Sequence, residues 1–459
     1  MAAARATAPF LDRWRRVVER HPGCTIAVVG LACAAVYAGA FLTGASRGDA
    51  IRGDAVQYYA YLRSLVFDAD LHFANEYERF YAEDSVWRTE RTPTGRPPNM
   101  MSIGPALLWL PVFALATGLA WLASAAGIAS PPDGYGLGLQ VTAGLCGIAY
   151  ATVGSYCCFR AAALRFPREA ALWATLVAWL ASPALYYTVV SPAYSHATTI
   201  FTMGVFVWAW MSGLGRVGAR RFLLLGALAG LAALVRWQDA IVVLLPAVEL
   251  LRGVIGRVTT PARAAGLGLC LAAGFAIGVS PQLIAWHAIY GSYVTVPQGS
   301  GFMQWTDPAI WAVLFSSRRG LFVWTPAVLL AAVGLVWVWR RDRLAGAGLT
   351  AVLAVAIYVN AAVADWWAGE AFGARRFISM TPIFAVGLAA LGARVGGRRP
   401  GTVAVTTIAL VAYNGLLLLQ YQLFMRGHRD LVAYPTTYAD VLIERLRLPF
   451  RLLWEWLGR

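Results

Sequence analysis

At 459 residues, with 59% of its side chains hydrophobic and only 13% charged, the chain is too apolar for an ordinary soluble domain. Its net charge of +15 does not form a polyanion-binding face, because the basic residues, all of them arginine, sit in short clusters beside apolar runs; no nucleic-acid partner is expected. The composition instead predicts an all-α polytopic membrane protein, a single transmembrane domain over 1–459 with no separate soluble unit.

The stretch from Arg5 to His21 carries five arginines before a long apolar run, and no small-residue cleavage site leads into a polar mature chain. It is expected to be a cytoplasmic lead-in rather than a removed signal peptide. The first span is predicted at about 25–42, since a helix crosses the hydrocarbon core with about 20 apolar residues. The polar stretch from Gly44 to Met101 then falls outside and holds nine acids and seven arginines. The six cysteines lie in or at the ends of apolar segments, which implies neither a disulfide nor a metal framework.

Within that first external loop, Asp54 opens the run Gly53-Asp54-Ala-Val-Gln-Tyr58-Tyr, a short amphipathic helix. Its carboxylate has two readings, as a helix cap or as a general base that takes a proton from an acceptor hydroxyl. Asp68 and Asp70, separated by one alanine in an acid-rich loop, are expected to be solvated rather than to bind a metal. Arg96 follows in Gly95-Arg96-Pro97-Pro98-Asn99.

Sidedness follows from the arginines, because cytoplasmic connections carry an excess of basic residues. The N-terminus, Arg160 with Arg165 and Arg168, Arg216 with Arg220 and Arg221, and Arg252 with Arg257 and Arg263 are placed inside. So are Arg340 with Arg341 and Arg343, and Arg394 with Arg398 and Arg399. If the apolar stretches Ser102 to Ala126 and Gly136 to Phe159 both crossed, the cluster at Arg160 would lie outside. The helix over 103–126 is therefore expected to enter the outer leaflet obliquely and return without crossing, with 130–134 at its return and 44–135 forming one external region.

Spans then follow at about 136–159, 169–190, 197–214, 222–236, 240–251, 265–290, 321–339, 345–364, 377–393 and 401–425. With the first they make about eleven crossings; 291–320 is an external loop. The tail over 426–459 lies outside, where its Leu, Trp and Arg pattern suits an amphipathic helix on the membrane surface.

This topology gathers polar groups on the outer face. Ionisable residues at that depth usually face a protein interior or an aqueous cavity, so a polar site is expected there. Arg96, Arg375 and Arg376 are candidates for holding a phosphate, for which the planar guanidinium is suited. Tyr58, His196, Arg236, Gln298 and Glu370 are candidates for substrate contact, although Arg236 and Asp239, three residues apart, are expected to pair with each other. Trp366 and Trp367 fit an interfacial belt, but the segment Asp365 to Arg376 is too polar for a belt alone.

In this order the features resemble the GT-C superfamily of membrane glycosyltransferases, in particular the protein O-mannosyltransferase and aminoarabinose transferase branch, glycosyltransferase family 39. The helix at Gly53-Asp54 resembles that family's opening of the first external loop. Gly95-Arg96-Pro97-Pro98 resembles its basic residue and Pro-Pro leading into a membrane-lying helix. The chain departs from the pattern at Ala55, where a glutamate is frequent, and at Ser195-His196-Ala197, where an acid is frequent.

The resemblance implies an inverting transfer of sugar from a polyprenyl-phosphate donor, with Asp54 as base and arginines at the phosphate. The acceptor would be a lipid, a glycan or a protein at the periplasmic face of a bacterial inner membrane, and no cofactor or metal is implied. Two other readings of the same residues are a carrier or flippase for a lipid-linked or anionic substrate and a polysaccharide polymerase or ligase.

Overall fold

The computed structural model describes residues 15–396 and 400–457. Arg5, Arg13, Arg398, Arg399 and Arg459, which the sequence places in basic clusters or in the tail, lie outside the described residues. The described chain is helical, without a strand, and seven of its helices are long and apolar enough to cross a membrane. It is a multi-pass α-helical membrane protein.

The principal helices are α1 (Pro22–Leu42), α2 (Ala55–Arg63), α3 (Gly104–Ala125), α4 (Leu137–Ala163), α5 (Arg168–Leu180), α6 (Ser195–Ser212) and α7 (Ala219–Val235). They continue with α8 (Leu244–Ile255), α9 (Pro261–Tyr290), α10 (Pro326–Arg341), α11 (Arg343–Ala361), α12 (Thr381–Gly396), α13 (Pro400–Met425) and α14 (Arg445–Leu457).

Several expected spans are interrupted. α5 stops before Ser182-Pro183 and resumes as Ala184–Val189, and Pro326 separates Leu321–Trp324 from α10, because proline removes a helical donor and clashes with the preceding turn. The short expected span at 240–251 is lengthened by a 3-10 turn, Trp237–Val243, that feeds α8. At about 2.0 Å per 3-10 residue and 1.5 Å per α residue the pair reaches roughly 32 Å, the thickness of a hydrocarbon core.

Lipid gives helices no hydrophobic reason to associate, so close backbone packing takes over. Gly226 and Gly230 on α7 face Gly274 and Gly278 on α9: a Cβ on Gly226 would lie 2.0 Å from the Leu271 carbonyl oxygen, and one on Gly274 2.0 Å from that of Leu223. Three indoles buried in the core have satisfied donors. Trp109 Nε1 donates to Thr198 Oγ1 at 3.0 Å, Trp179 Nε1 to Thr188 Oγ1 at 3.0 Å, and Trp210 Nε1 to Glu249 Oε2 at 3.0 Å.

Polar contacts sort the helix ends into two groups. In one, Trp173 donates to Glu19 at 2.8 Å, Arg165 to Asp342 at 2.9 Å, Arg221 to Glu249 at 2.8 and 3.0 Å, and Arg263 to the Val217 carbonyl at 3.4 Å. Arg165, Arg221 and Arg263 thus join neighbouring helix ends. In the other, Gln140 donates to Asp49 at 2.8 Å, Thr92 to the Ile289 carbonyl at 2.6 Å, and Tyr421 to the Glu370 carbonyl at 3.2 Å.

The segments flanking α3 both belong to the second group. Before it, Asn99 Nδ2 donates to the Gln57 carbonyl at 2.9 Å and Met100 N to Gln57 Oε1 at 2.8 Å. After it, the Tyr59 hydroxyl donates to the Gly134 carbonyl at 2.6 Å and Arg63 Nε to that of Asp133 at 3.0 Å. All four contacts fall on α2, only about 14 Å long at 1.5 Å per residue. α3 itself is one unbroken helix of 22 residues, and 126–134 makes the return. Its first half packs on protein, with Phe113 edge-on to Tyr59 at 5.7 Å, while Leu115, Leu119, Trp121 and Leu122 are exposed.

α2 is anchored by a buried polar knot. Arg63 Nη1 meets Glu76 Oε1 at 2.8 Å and also Asp68, and its guanidinium lies 4.3 Å from the Tyr135 ring centroid. Asp68 is therefore an ion-pair partner rather than a solvated acid.

Candidate functional site

At the α2 end of the molecule a cleft of about 280 Å³ is lined by Asp54, Tyr58, His196, Arg236 and Gln298, and by Asp365, Arg375 and Arg376. Residues from five separate stretches of sequence meet there, and the local backbone explains how each arrives.

Asp54 stands at the N-terminus of α2 but makes no side-chain capping bond. Its carboxylate instead takes a hydrogen bond from Arg375 Nη1 at 2.6 Å, and its own N–H donates to the Tyr194 hydroxyl at 3.2 Å. The capping alternative is thereby overturned. The preceding Gly53 has φ of 57°, and a Cβ there would come within 2.4 Å of the Tyr194 hydroxyl. Only glycine meets both conditions.

Arg375 and Arg376 open a 3-10 turn, Arg375–Met380. At three residues per turn, consecutive side chains diverge by about 120°, and the two arginines separate accordingly. Arg375 reaches Asp54, whereas Arg376 donates to Asp365 Oδ1 at 2.6 Å and to the Asp365 carbonyl at 2.8 Å. Gln238 Nε2 donates to the Arg376 carbonyl at 3.2 Å.

Arg236 does not pair with Asp239. The 3-10 turn after Arg236 carries Asp239 inward, where it is fully buried and accepts from Thr199 Oγ1, while Arg236 Nη1 donates to Ser195 Oγ at 3.1 Å and to His196 Nδ1 at 2.9 Å. A guanidinium only donates, so Nδ1 must be the acceptor and the neutral ring carries its proton on Nε2. The His196 ring packs against Tyr187 and Tyr194, with centroids 4.5 and 6.2 Å away.

The Tyr58 hydroxyl lies 2.7 Å from Ser195 Oγ, which ties α2 to α6. Burial pushes the Tyr58 phenol above its ordinary value, against the lowering pull of Arg236, so it stays neutral. Gln298 donates weakly to the Met100 carbonyl at 3.4 Å, and its buried Oε1 has no hydrogen-bond partner among the described residues.

Two expected site residues stand apart from the cleft lining. Arg96 Nη1 donates to the Ala288 carbonyl, fastening the first external loop to the end of α9. Glu370 is exposed, and its carbonyl accepts from Tyr421. Conversely, Ser195, Gln238 and Asp365 join the site. Gln238 and Asp365 carried the signal of polar groups at an outer helix end; Ser195 carried none.

The electrostatics are asymmetric. Asp54 neutralises Arg375 and Asp365 neutralises Arg376, while Arg236 hydrogen-bonds only neutral groups among the described residues and feels the buried Asp239 only through space. Among the described residues the cleft thus keeps one cation outside any direct ion pair, beside a neutral histidine and a carboxylate, an arrangement able to bind an anion and to accept a proton. No protein-family model matches this chain, and no curated protein matches it significantly.

Proposed function

We propose that the chain is an inverting glycosyltransferase of the GT-C kind, moving sugar from a polyprenyl-phosphate donor to an acceptor hydroxyl at the periplasmic face of a bacterial inner membrane. The observation that carries this reading is the ion pair of Asp54 with Arg375 in a cleft that also holds Arg236, which makes no direct ion pair among the described residues.

In a single in-line step the acceptor oxygen bonds to the anomeric carbon and its proton passes to Asp54. The bond from that carbon to the phosphate oxygen breaks, and its electron pair leaves with the polyprenyl phosphate. Negative charge grows on the departing phosphate, where fixed cations act most strongly. Arg236 and Arg375 stand nearest that task, since Arg375 spends Nη1 on Asp54 and keeps other donors. Displacement from the face opposite the phosphate inverts the anomeric centre. Arg96 takes no part in this scheme.

The membrane arrangement belongs to the same proposal. Eleven passages run between the two groups of polar contacts, α3 lies in the outer leaflet with both flanks on α2, and the arginine-rich end with the N-terminus is cytoplasmic. Multiple apolar helices suit a donor whose long lipid approaches sideways from the bilayer.

Reconstitution in proteoliposomes with a polyprenyl-phosphate sugar tests the activity by product analysis. A new glycosidic bond is expected, lost in Asp54→Asn while the protein still expresses and binds lipid. Transport of the donor with no new bond would replace this reading with that of a carrier. A cysteine at Asp133 should react with external reagent; labelling from the cytoplasm alone would restore a crossing α3.

A further inference from the structure

One arginine next to the cleft is buried without a carboxylate. Arg319, 5% exposed, donates from Nε to the Ala371 carbonyl at 2.6 Å, from Nη1 to the Trp367 carbonyl at 3.4 Å, and from Nη2 to the Tyr434 hydroxyl at 2.6 Å. Burying a guanidinium among neutral acceptors is costly, so what it holds matters. Its carbonyl partners bracket a turn in which Ala368 and Gly369 both have φ of 61°, a conformation that opposes the alanine side chain.

Arg319 itself has a left-handed φ of 65°, and Trp324 Nε1 fixes the turn before it by donating to the Ser317 carbonyl at 2.7 Å. The neighbouring Arg318 covers Trp367 at 4.1 Å from the ring centroid. Beyond Ala371 the chain passes through Phe372, stacked on Tyr186 at 5.1 Å, and arrives at Arg375. Pinning the Ala371 carbonyl therefore sets where the Arg375 and Arg376 turn begins.

We infer that Arg319 is a positioning residue: it clamps the 365–376 segment so that Arg375 meets Asp54, and the C-terminal tail completes the clamp through Tyr434. The role in transfer rests on reading the Asp54 cleft as the transfer site; the clamp itself does not.

Two measurements on the full chain separate these. Hydrogen–deuterium exchange of Arg319→Met should give faster uptake across 365–376 with unchanged uptake in α5 and α6, which report the folded core. Tyr434→Phe should give a smaller change of the same kind and carries the test if Arg319→Met does not fold. Wild-type protection of 365–376 in the folded variant overturns the clamp.

In the transfer assay, Arg319→Met should lower turnover by about 100-fold, the scale expected of a misplacement of about 1 Å, and Arg319→Lys should recover part of it. Arg319→Met combined with Arg375→Met should lose no more than Arg375→Met alone, because the two act as a unit. Multiplying losses would mean that Arg319 acts only on general stability and would overturn its positioning role. If the wild type transfers no sugar, the glycosyltransferase reading fails while the exchange measurement still decides the clamp.

Discussion

Asp54 and Arg375 are 321 residues apart in sequence and 2.6 Å apart in the fold. Their side chains keep 32% and 18% of their exposure, so solvent screens the pair and its contribution to stability is about 1 kcal/mol or less. On the proposed function, the pairing is an arrangement for chemistry rather than a staple.

Arg375→Met should therefore leave the unfolding midpoint nearly unchanged while turnover falls by about 100- to 1000-fold, the loss typical of removing one preorganised charge-stabilising donor. Initial rates at saturating donor, set beside a detergent unfolding curve, check both halves.

Arg236, the cleft cation that makes no direct ion pair among the described residues, should matter for binding. Arg236→Gln removes a charge-assisted contact of about 1.5–3 kcal/mol and should weaken polyprenyl-phosphate binding by about 10- to 100-fold. Titration of the purified protein with polyprenyl phosphate reads this directly, and an uncharged polyprenol should bind wild type and variant alike.

Much of this site is legible in the sequence. The charge rule places Asp54, His196, Arg236 and Arg375 on one face because helix ends report sidedness without any knowledge of packing. Partner choice is not legible in that way. Arg236 and Asp239 look paired at a spacing of three, but a 3-10 turn sends one to the cleft and the other inward. Arg96 has the local context of a functional arginine, yet the close approach of Ala288 decides its use. Ser195 becomes important only because Tyr58 and Arg236 both arrive at it.

The α7–α9 contact should resist enlargement. Gly274→Val inserts a side chain where a Cβ would already lie 2.0 Å from the Leu223 carbonyl oxygen, and should cost about 1–3 kcal/mol, possible only with helix displacement. Gly39→Ala on α1, where nothing lies within 4 Å, should be neutral or stabilise by about 0.5–1 kcal/mol. Unfolding midpoints of the two variants in one detergent make the comparison.

The knot under α2 should show in both mutation and pH. Glu76→Ala leaves Arg63 buried with Asp68 as its remaining acid, and should cost about 3 kcal/mol, the lower end for breaking a buried pair. Burial holds the Glu76 carboxyl above its ordinary 4.5, against the hydrogen bond from Arg63. Between 4.5 and that raised value the folded state keeps a proton that the unfolded state has released. Glu76 thus stabilises the fold most at low pH and loses this contribution as pH rises through the window. Comparing Glu76→Gln with wild type at about pH 4 and about pH 7 isolates the difference, since only the wild-type carboxyl titrates.

The partnership of Arg319 with Tyr434 has a consequence for how the protein is made. Asp54 emerges from the ribosome early, yet Arg375 follows only after most of the helices, and Tyr434 only once α13 has been threaded into the bilayer. Through nearly all of its synthesis the nascent chain carries a lone carboxylate and an open cleft. The cleft is completed late and all at once, so a ribosome stalled before the tail leaves an inserted polypeptide whose clamp is unmade.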